Sequence, residues 1–274
     1  MPVFEELVGS WNVVPRDTGG PGGWILCAKA AATAGEVLLC ERALVVSSAD
    51  ASSENKVLFA ELAELERRRA LGGSVALGVH AAACCALRSL GSEAVRGAVL
   101  CQCQHAASDL PEAAAVYKQL LKSGLLPQVG SFSAAEYAKL LSVVQLNSFH
   151  FEPLEVPGAA SEEQGPGKAM FQVCRLMNHS CAPNVDFQIR WGEEGVATLR
   201  LAAQRDVAAG EELNISYLSS APGEALGEAR SVRRKRLREV WGFDCACERC
   251  LAEAGEPENG SSRASTPSLS GLEW

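Results

Sequence analysis

Asn178-His179-Ser180-Cys181-Ala182-Pro183-Asn184 is the stretch on which the reading of this chain turns. Alone it is a polar turn ahead of a proline, with a histidine of the ordinary structural kind. Its weight comes from two later segments of the chain. Gly210-Glu211-Glu212-Leu213-Asn214-Ile215-Ser216-Tyr217 closes a turn and enters a short strand, and three thiols then crowd into Cys245-Ala246-Cys247-Glu248-Arg249-Cys250. Short spacers let the backbone wrap a tetrahedral zinc at Zn–S distances of ~2.3 Å. Three ligands do not close a structural site, and the sequence offers Cys181, Cys174 or the group Cys101, Cys103 and His105 for the fourth. Thiols scattered through a core as small apolar residues suit Cys84 and Cys85 in their Ala-rich stretch. They do not suit a cluster flanked by Asp244, Glu248 and Arg249.

The chain has 274 residues, 47% of them hydrophobic, enough for a sizeable core. Twenty-five basic against 33 acidic residues give a net charge of −8, so the global positive field of a phosphate-tracking protein is missing, and direct nucleic-acid binding is not expected. The start, Met1 to Glu6, lacks the basic and apolar regions of a secretory signal. The 11 cysteines therefore read as reduced and intracellular, nuclear or cytoplasmic, and their odd number favours metal ligation over a disulfide framework. The uncharged run Leu71 to Leu87 contains His80 and is short for a membrane span; it predicts a buried helix, and no membrane contact is expected.

Around these motifs the pattern alternates. Trp24 to Cys27 and Glu36 to Cys40 predict short strands with a turn at Ala34-Gly35-Glu36. From Ser52 to about residue 146 the period is helical. Leu58, Leu62 and Leu65 form one stripe there, while Asp109-Leu110-Pro111-Glu112 and Ser133-Ala134-Ala135-Glu136 predict capping-box starts. Tyr137, Leu140, Leu141 and Val144 line the last of these helices. Residues 153–168, rich in Pro, Gly and Glu, predict a surface loop. Val185 to Trp191 and Val196 to Leu201 predict a hairpin, followed by a strand over Leu213 to Leu218. Arg230, Arg233, Arg234, Lys235, Arg236 and Arg238 predict a solvated helix face, with Leu237, Val240 and Trp241 on the buried side. The stretch after Cys250 has the composition of a disordered tail.

Asn-His-Ser-Cys-x-Pro-Asn resembles the signature of SET domains. Gly210 to Tyr217 is similar to the family's Gly-Glu-Glu-Leu segment with its active-site tyrosine, and Cys245-x-Cys247-x-x-Cys250 to its post-SET zinc motif. Leu146-Asn147-Ser148-Phe149 and the link from Arg233 to Phe243 resemble the SET-and-MYND (SMYD-like) type of protein lysine methyltransferase. The resemblance implies an α+β, mainly β fold of small sheets around a pseudo-knot. Residues 1–46 and 136–220 would form the SET domain, 47–135 a helical insertion, 221–252 a post-SET zinc segment and 253–274 a tail. It further implies S-adenosylmethionine as cofactor, held by Asn147, Asn178, His179, Trp241 and Phe243. Tyr217 is the implied catalytic residue, and zinc is placed on Cys181, Cys245, Cys247 and Cys250. Phe171 falls where the family often has an aromatic near the lysine channel, or is a core phenylalanine.

The implied partner is a protein or peptide bearing a target lysine, a histone among the candidates. Residues 47–135 lack the paired cysteines of a MYND module, and the chain ends before the family's usual C-terminal helical repeats. The family's N-terminal Gly-x-Gly turn is matched only by Gly22-Gly23-Trp24-Ile25, about two residues early. These departures keep a second expectation open, a SET-like zinc scaffold that binds partners without turnover.

Overall fold

The computed structural model describes residues 8–19, 23–49, 52–68, 70, 75–100, 112–126, 132–151, 167–191, 196–218 and 225–255. In chain order the elements are β1 (Val13–Asp17), β2 (Trp24–Ala28), β3 (Val37–Arg42), β4 (Val45–Ser47), α1 (Ser53–Arg67), α2 (Leu77–Ala94), α3 (Ala113–Lys122) and α4 (Ala134–Asn147). They continue with β5 (Ser148–Phe151), β6 (Gly167–Met170), β7 (Asn178–His179), β8 (Val185–Trp191), β9 (Ala197–Ala203), β10 (Asn214–Ile215), α5 (Arg230–Trp241) and α6 (Glu248–Ala252). Chain contacts divide these into two compact units, one of Met1–Glu41, Leu176–Gln188 and Leu199–Leu272, the other of Arg42–Arg175 and Ile189–Thr198.

The first unit is built from short sheets. β1 pairs antiparallel with β2, and β9 lies between β3 and β8. The Gly-Glu-Glu-Leu segment runs along β2: the Gly210 N–H donates to the Ala28 carbonyl, Ala28 to Glu211, and Leu213 to Leu26, at 2.8–2.9 Å. Gly210 has φ 78°, the left-handed turn that lets the chain double back onto β2. The predicted strand Leu213 to Leu218 shrinks to the two residues of β10, which pair in parallel with β7 instead of extending the β8–β9 hairpin. The reason is local: beyond Ile215 the backbone turns so that the Tyr217 N–H meets a side chain, not a neighbouring strand.

The second unit is a helical core on a three-stranded sheet in the order β4-β6-β5. Leu58, Leu62 and Leu65 of α1 are buried, as their spacing predicts. Ser133 caps α4 in a full capping box with Glu136, and Tyr137, Leu140, Leu141 and Val144 all face the core. Residues 77–87 of the uncharged run lie in α2, which buries Cys84 and Cys85. Its His80 is 1% exposed, with Nδ1 2.9 Å from the Tyr137 hydroxyl. The capping box predicted at Asp109 to Glu112 lies largely outside the described residues; Glu112 itself makes no side-chain cap. β1, β4, β5, β6 and β7 are strands that sequence pattern did not single out, and β6 begins inside the predicted loop. No described helix is long and apolar enough to cross a membrane.

Candidate active site and metal centre

Asn184, the last residue of the signature, organises the first unit's site. It is buried, its Oδ1 accepts the Asn214 N–H at 2.8 Å, and its amide donates to the Glu212 carbonyl at 2.8 Å and Glu211 Oε1 at 2.9 Å. Arg205 donates to Glu211 at 2.7 Å; this pairing, with the Ala208 N–H and the Asn184 amide, holds the carboxyl down to about 2. The signature is thereby fastened to the Gly-Glu-Glu-Leu segment, and the β7–β10 ladder sets Asn178 opposite Asn214 and His179 opposite Ile215. The Asn178 amide donates to Glu212 Oε1 at 2.8 Å. Asn184 and Glu212 belong to the quoted motifs, but sequence reasoning gave neither a role; two carboxamides in one short signature was the available signal.

His179 and Tyr217 meet through the backbone. The Tyr217 N–H donates to His179 Nδ1 at 2.9 Å, so the neutral ring carries its proton on Nε2, which faces Cys181 Sγ at 3.3 Å. Burial, with Arg233 nearby, pushes the imidazole down to about 4, so the ring is neutral at physiological pH. The Tyr217 hydroxyl donates to the Met177 carbonyl at 2.7 Å. Burial, helped by Glu212, pushes the phenol up to about 12 and keeps its proton on. Trp241, at the end of α5, and Phe243 close an aromatic group. The Tyr217 ring lies 5.4 Å from Trp241, 5.3 Å from His179 and edge-on to Phe243 at 6.4 Å.

The cysteines converge as the resemblance implies. The ligand atoms of Cys181, Cys245, Cys247 and Cys250 all lie within 4.8 Å of one another, with Cys181 Sγ 3.6 Å from Cys250 Sγ and 4.0 Å from Cys245 Sγ. Sulfurs ~2.3 Å from a central zinc stand ~3.8 Å apart at the corners of a tetrahedron, and the two separations from Cys181 bracket that spacing, so the group suits that ion. Burial resists ionisation of Cys247, yet the Cys250 and Cys181 N–H groups aimed at its sulfur bring it down to about 6. Burial raises Cys181 and takes Cys245 up to about 11. A divalent cation would displace those protons.

Some of the expected residues belong to the second unit. Asn147 ends α4 there, its amide donating to the Val143 carbonyl at 2.9 Å. Phe171 is fully buried in the second unit, edge-on to Phe149 at 5.4 Å. Cys174 is also buried there, and Cys101, Cys103 and His105 lie outside the described residues.

The basic run needs one correction. Lys235, Arg236 and Arg238 do form a solvated face, paired with Glu239, Glu228 and Asp244, while Arg234 is half-buried and paired with Asp244. Arg233 is 1% exposed, because it shares the inward face of α5 with Leu237, four residues on.

The chain matches the SET domain family over residues 23–218. It is 40% identical over 95 residues to the protein-lysine N-trimethyltransferase SMYD5 of Gallus gallus, covering 35% of this chain and 21% of that protein. It is 42% identical over 80 residues to the histone-lysine N-methyltransferase SET5 of Meyerozyma guilliermondii, covering 29% and 15%. The matched stretches thus span about a fifth or less of the length of these relatives. A solved SET domain of LSMT bound to lysine and AdoHcy aligns over 86% of this chain and 54% of its own, at 13% identity and a TM-score of 0.44, a likeness too loose to carry a functional argument.

Proposed function

The chain belongs to the SET-domain family, and on that premise we propose that it is a protein lysine N-methyltransferase of the SET-and-MYND type, using S-adenosylmethionine and one structural zinc. In this reading residues 1–46 and 136–220 are the two parts of the SET domain, 47–135 its insertion and 221–252 the post-SET segment. The observation that carries the proposal is the joining of Tyr217 to His179 through Nδ1, inside an aromatic group and two residues before Cys181 of the thiol cluster.

When bound, S-adenosylmethionine supplies an electrophilic methyl group on a cationic sulfur. The chain's share is to bind, orient and dehydrate. In this reading Asn178 and His179 would hold the cofactor through backbone and amide groups, and Trp241 and Phe243 would cover the adenine. Tyr217 keeps its proton, spends it on the Met177 carbonyl, and so presents its lone pairs as a fixed acceptor for an incoming amine. A lysine amine with pKa near ~10.4 reaches the site charged, and desolvation among aromatic rings lowers that value toward the neutral, nucleophilic form. Holding the amine in line lowers the barrier further. The substrate is a lysine-bearing protein, histone or not, met inside the cell in nucleus or cytoplasm.

Cys181, Cys245, Cys247 and Cys250 would hold the zinc, tying the segment that bears Trp241 and Phe243 to the signature. Metal-binding energy then becomes folding energy for the site.

The test is transfer of a labelled methyl group from S-adenosylmethionine to histone and non-histone protein mixtures by the zinc-loaded chain. Tyr217→Phe is expected to lower transfer by about a hundredfold or more while S-adenosylhomocysteine still binds. Full transfer by the variant contradicts the role of Tyr217. A folded, zinc-replete chain that binds no cofactor would instead be the non-catalytic scaffold.

A further inference from the structure

The zinc of the proposed function would leave a problem of charge. Four thiolates around one divalent ion carry a net charge of −2, in a cluster whose Cys181, Cys245 and Cys250 are all buried. Uncompensated charge of that size in a low-dielectric setting is costly. Arg233 stands against it. Its guanidinium is 1% exposed, Nη2 lies 3.8 Å from Cys250 Sγ and 2.5 Å from Glu253 Oε2, and Nη1 donates to the Glu228 carbonyl at 2.5 Å. Arg233 is the one basic residue of α5 that is buried, and a buried cation has to be held there by something.

Glu253 is already shared. Its Oε1 accepts from Arg249 Nε at 2.7 Å, and Arg249 Nη1 in turn donates to the Cys181 carbonyl at 3.2 Å. One carboxylate thus faces two guanidinium groups, leaving a net positive charge beside the sulfurs.

We propose that Arg233 is a positioning residue for the metal, the buried counter-charge that lets the four-cysteine cluster hold zinc as a tetrathiolate. The inference rests on the zinc reading and goes beyond it by naming a fifth residue, contributed by α5, on which metal retention depends. Glu253 keeps the guanidinium in place while partly offsetting its charge. Partners of this kind around metal ligands typically change metal affinity by about 10–100-fold when removed.

The experiment is competition for zinc between the full chain and a chromophoric chelator, for native protein, Arg233→Met, Arg233→Lys and Glu253→Gln. Native protein that takes up no zinc overturns the zinc reading itself. If native protein binds zinc, Arg233→Met is expected to hold it about 10–100-fold more weakly. Arg233→Lys keeps the charge and is expected to lose less. Glu253→Gln removes the strap but strengthens the local positive field, and is expected to hold zinc as tightly as native protein or more tightly. Cobalt substitution reports whether the tetrahedral sulfur set still forms in each variant. Unchanged zinc affinity in Arg233→Met overturns the inference. So does a loss in Glu253→Gln equal to that in Arg233→Met, which would make the arginine a structural strap and no more. Should Arg233→Met fail to fold, the lysine and glutamine variants decide alone: charge compensation requires both to retain zinc, and a loss in either as large as 100-fold overturns it.

Discussion

At the scale of residues, polar side chains here take their roles from the partners that orient them. Asn178 offers its amide to Glu212 Oε1, which leaves its own oxygen free and fixes which end can face a ligand. Glu212→Ala is therefore expected to weaken S-adenosylhomocysteine binding about tenfold, the scale of one charge-assisted hydrogen bond, whereas Glu212→Gln retains most of it. Equal affinity in the alanine variant, measured by calorimetry, would show that Asn178 needs no such orientation. His80 gives a pH dependence of determined sign. Burial among Tyr137 and Cys84 pushes it down to about 4, below the ordinary ~6.5, so the unfolded chain takes up the proton first. Its contribution to stability is whole above pH ~6.5 and is lost as pH falls through about 4, up to roughly 3 kcal/mol. Urea unfolding between pH 7.5 and 5 is expected to show a steeper loss for native protein than for His80→Gln, and parallel slopes would refute it. His179 and Tyr217 were legible because motif order picked them out. Arg233 was not: in a run of six basic residues, composition cannot tell which one the helix turns inward.

At the scale of elements, what could be read was what is periodic or capped. The stripe of α4 and its Ser133–Glu136 capping box were plain in the sequence, since both are set within a few neighbouring residues. β5 and β6 were not, because four-residue strands carry too few alternations to show a period, and their pairing is set by contacts distant in sequence. β10 was overextended for the converse reason: Leu213 to Leu218 alternates well, yet a side-chain acceptor, His179 Nδ1, takes the Tyr217 N–H out of the ladder. Gly167 on β6 tests the β5–β6 register directly. A methyl group there would run into the ring of Phe151, its partner across the ladder. Gly167→Ala is expected to cost about 1–3 kcal/mol in urea unfolding. A neutral effect would place that ring elsewhere.

At the scale of the whole molecule, the two compact units are each discontinuous in sequence, with Leu176–Gln188 and Leu199–Leu272 returning to the unit begun by the N-terminal strands. The order of three motifs made the family legible, because the signature, the Gly-Glu-Glu-Leu segment and the cysteine triplet are each short and specific. The remaining ligand, Cys181, was one of several candidates on spacing alone, and the structure gathers it with the triplet while leaving Cys174 in the other unit. Zinc removal by a chelator is expected to abolish cofactor binding and release the α5–α6 segment from the signature, and Cys247→Ser should do the same. A variant without zinc that binds cofactor normally would separate the two functions. The claim on which everything else depends is that the zinc-loaded chain has a cofactor site built on the signature. Calorimetric titration with S-adenosylhomocysteine measures it most directly, with Asn178→Ala, His179→Ala as control. Micromolar binding by the native chain that the double variant loses is the expected result, whereas no binding by a folded, zinc-replete chain would contradict it.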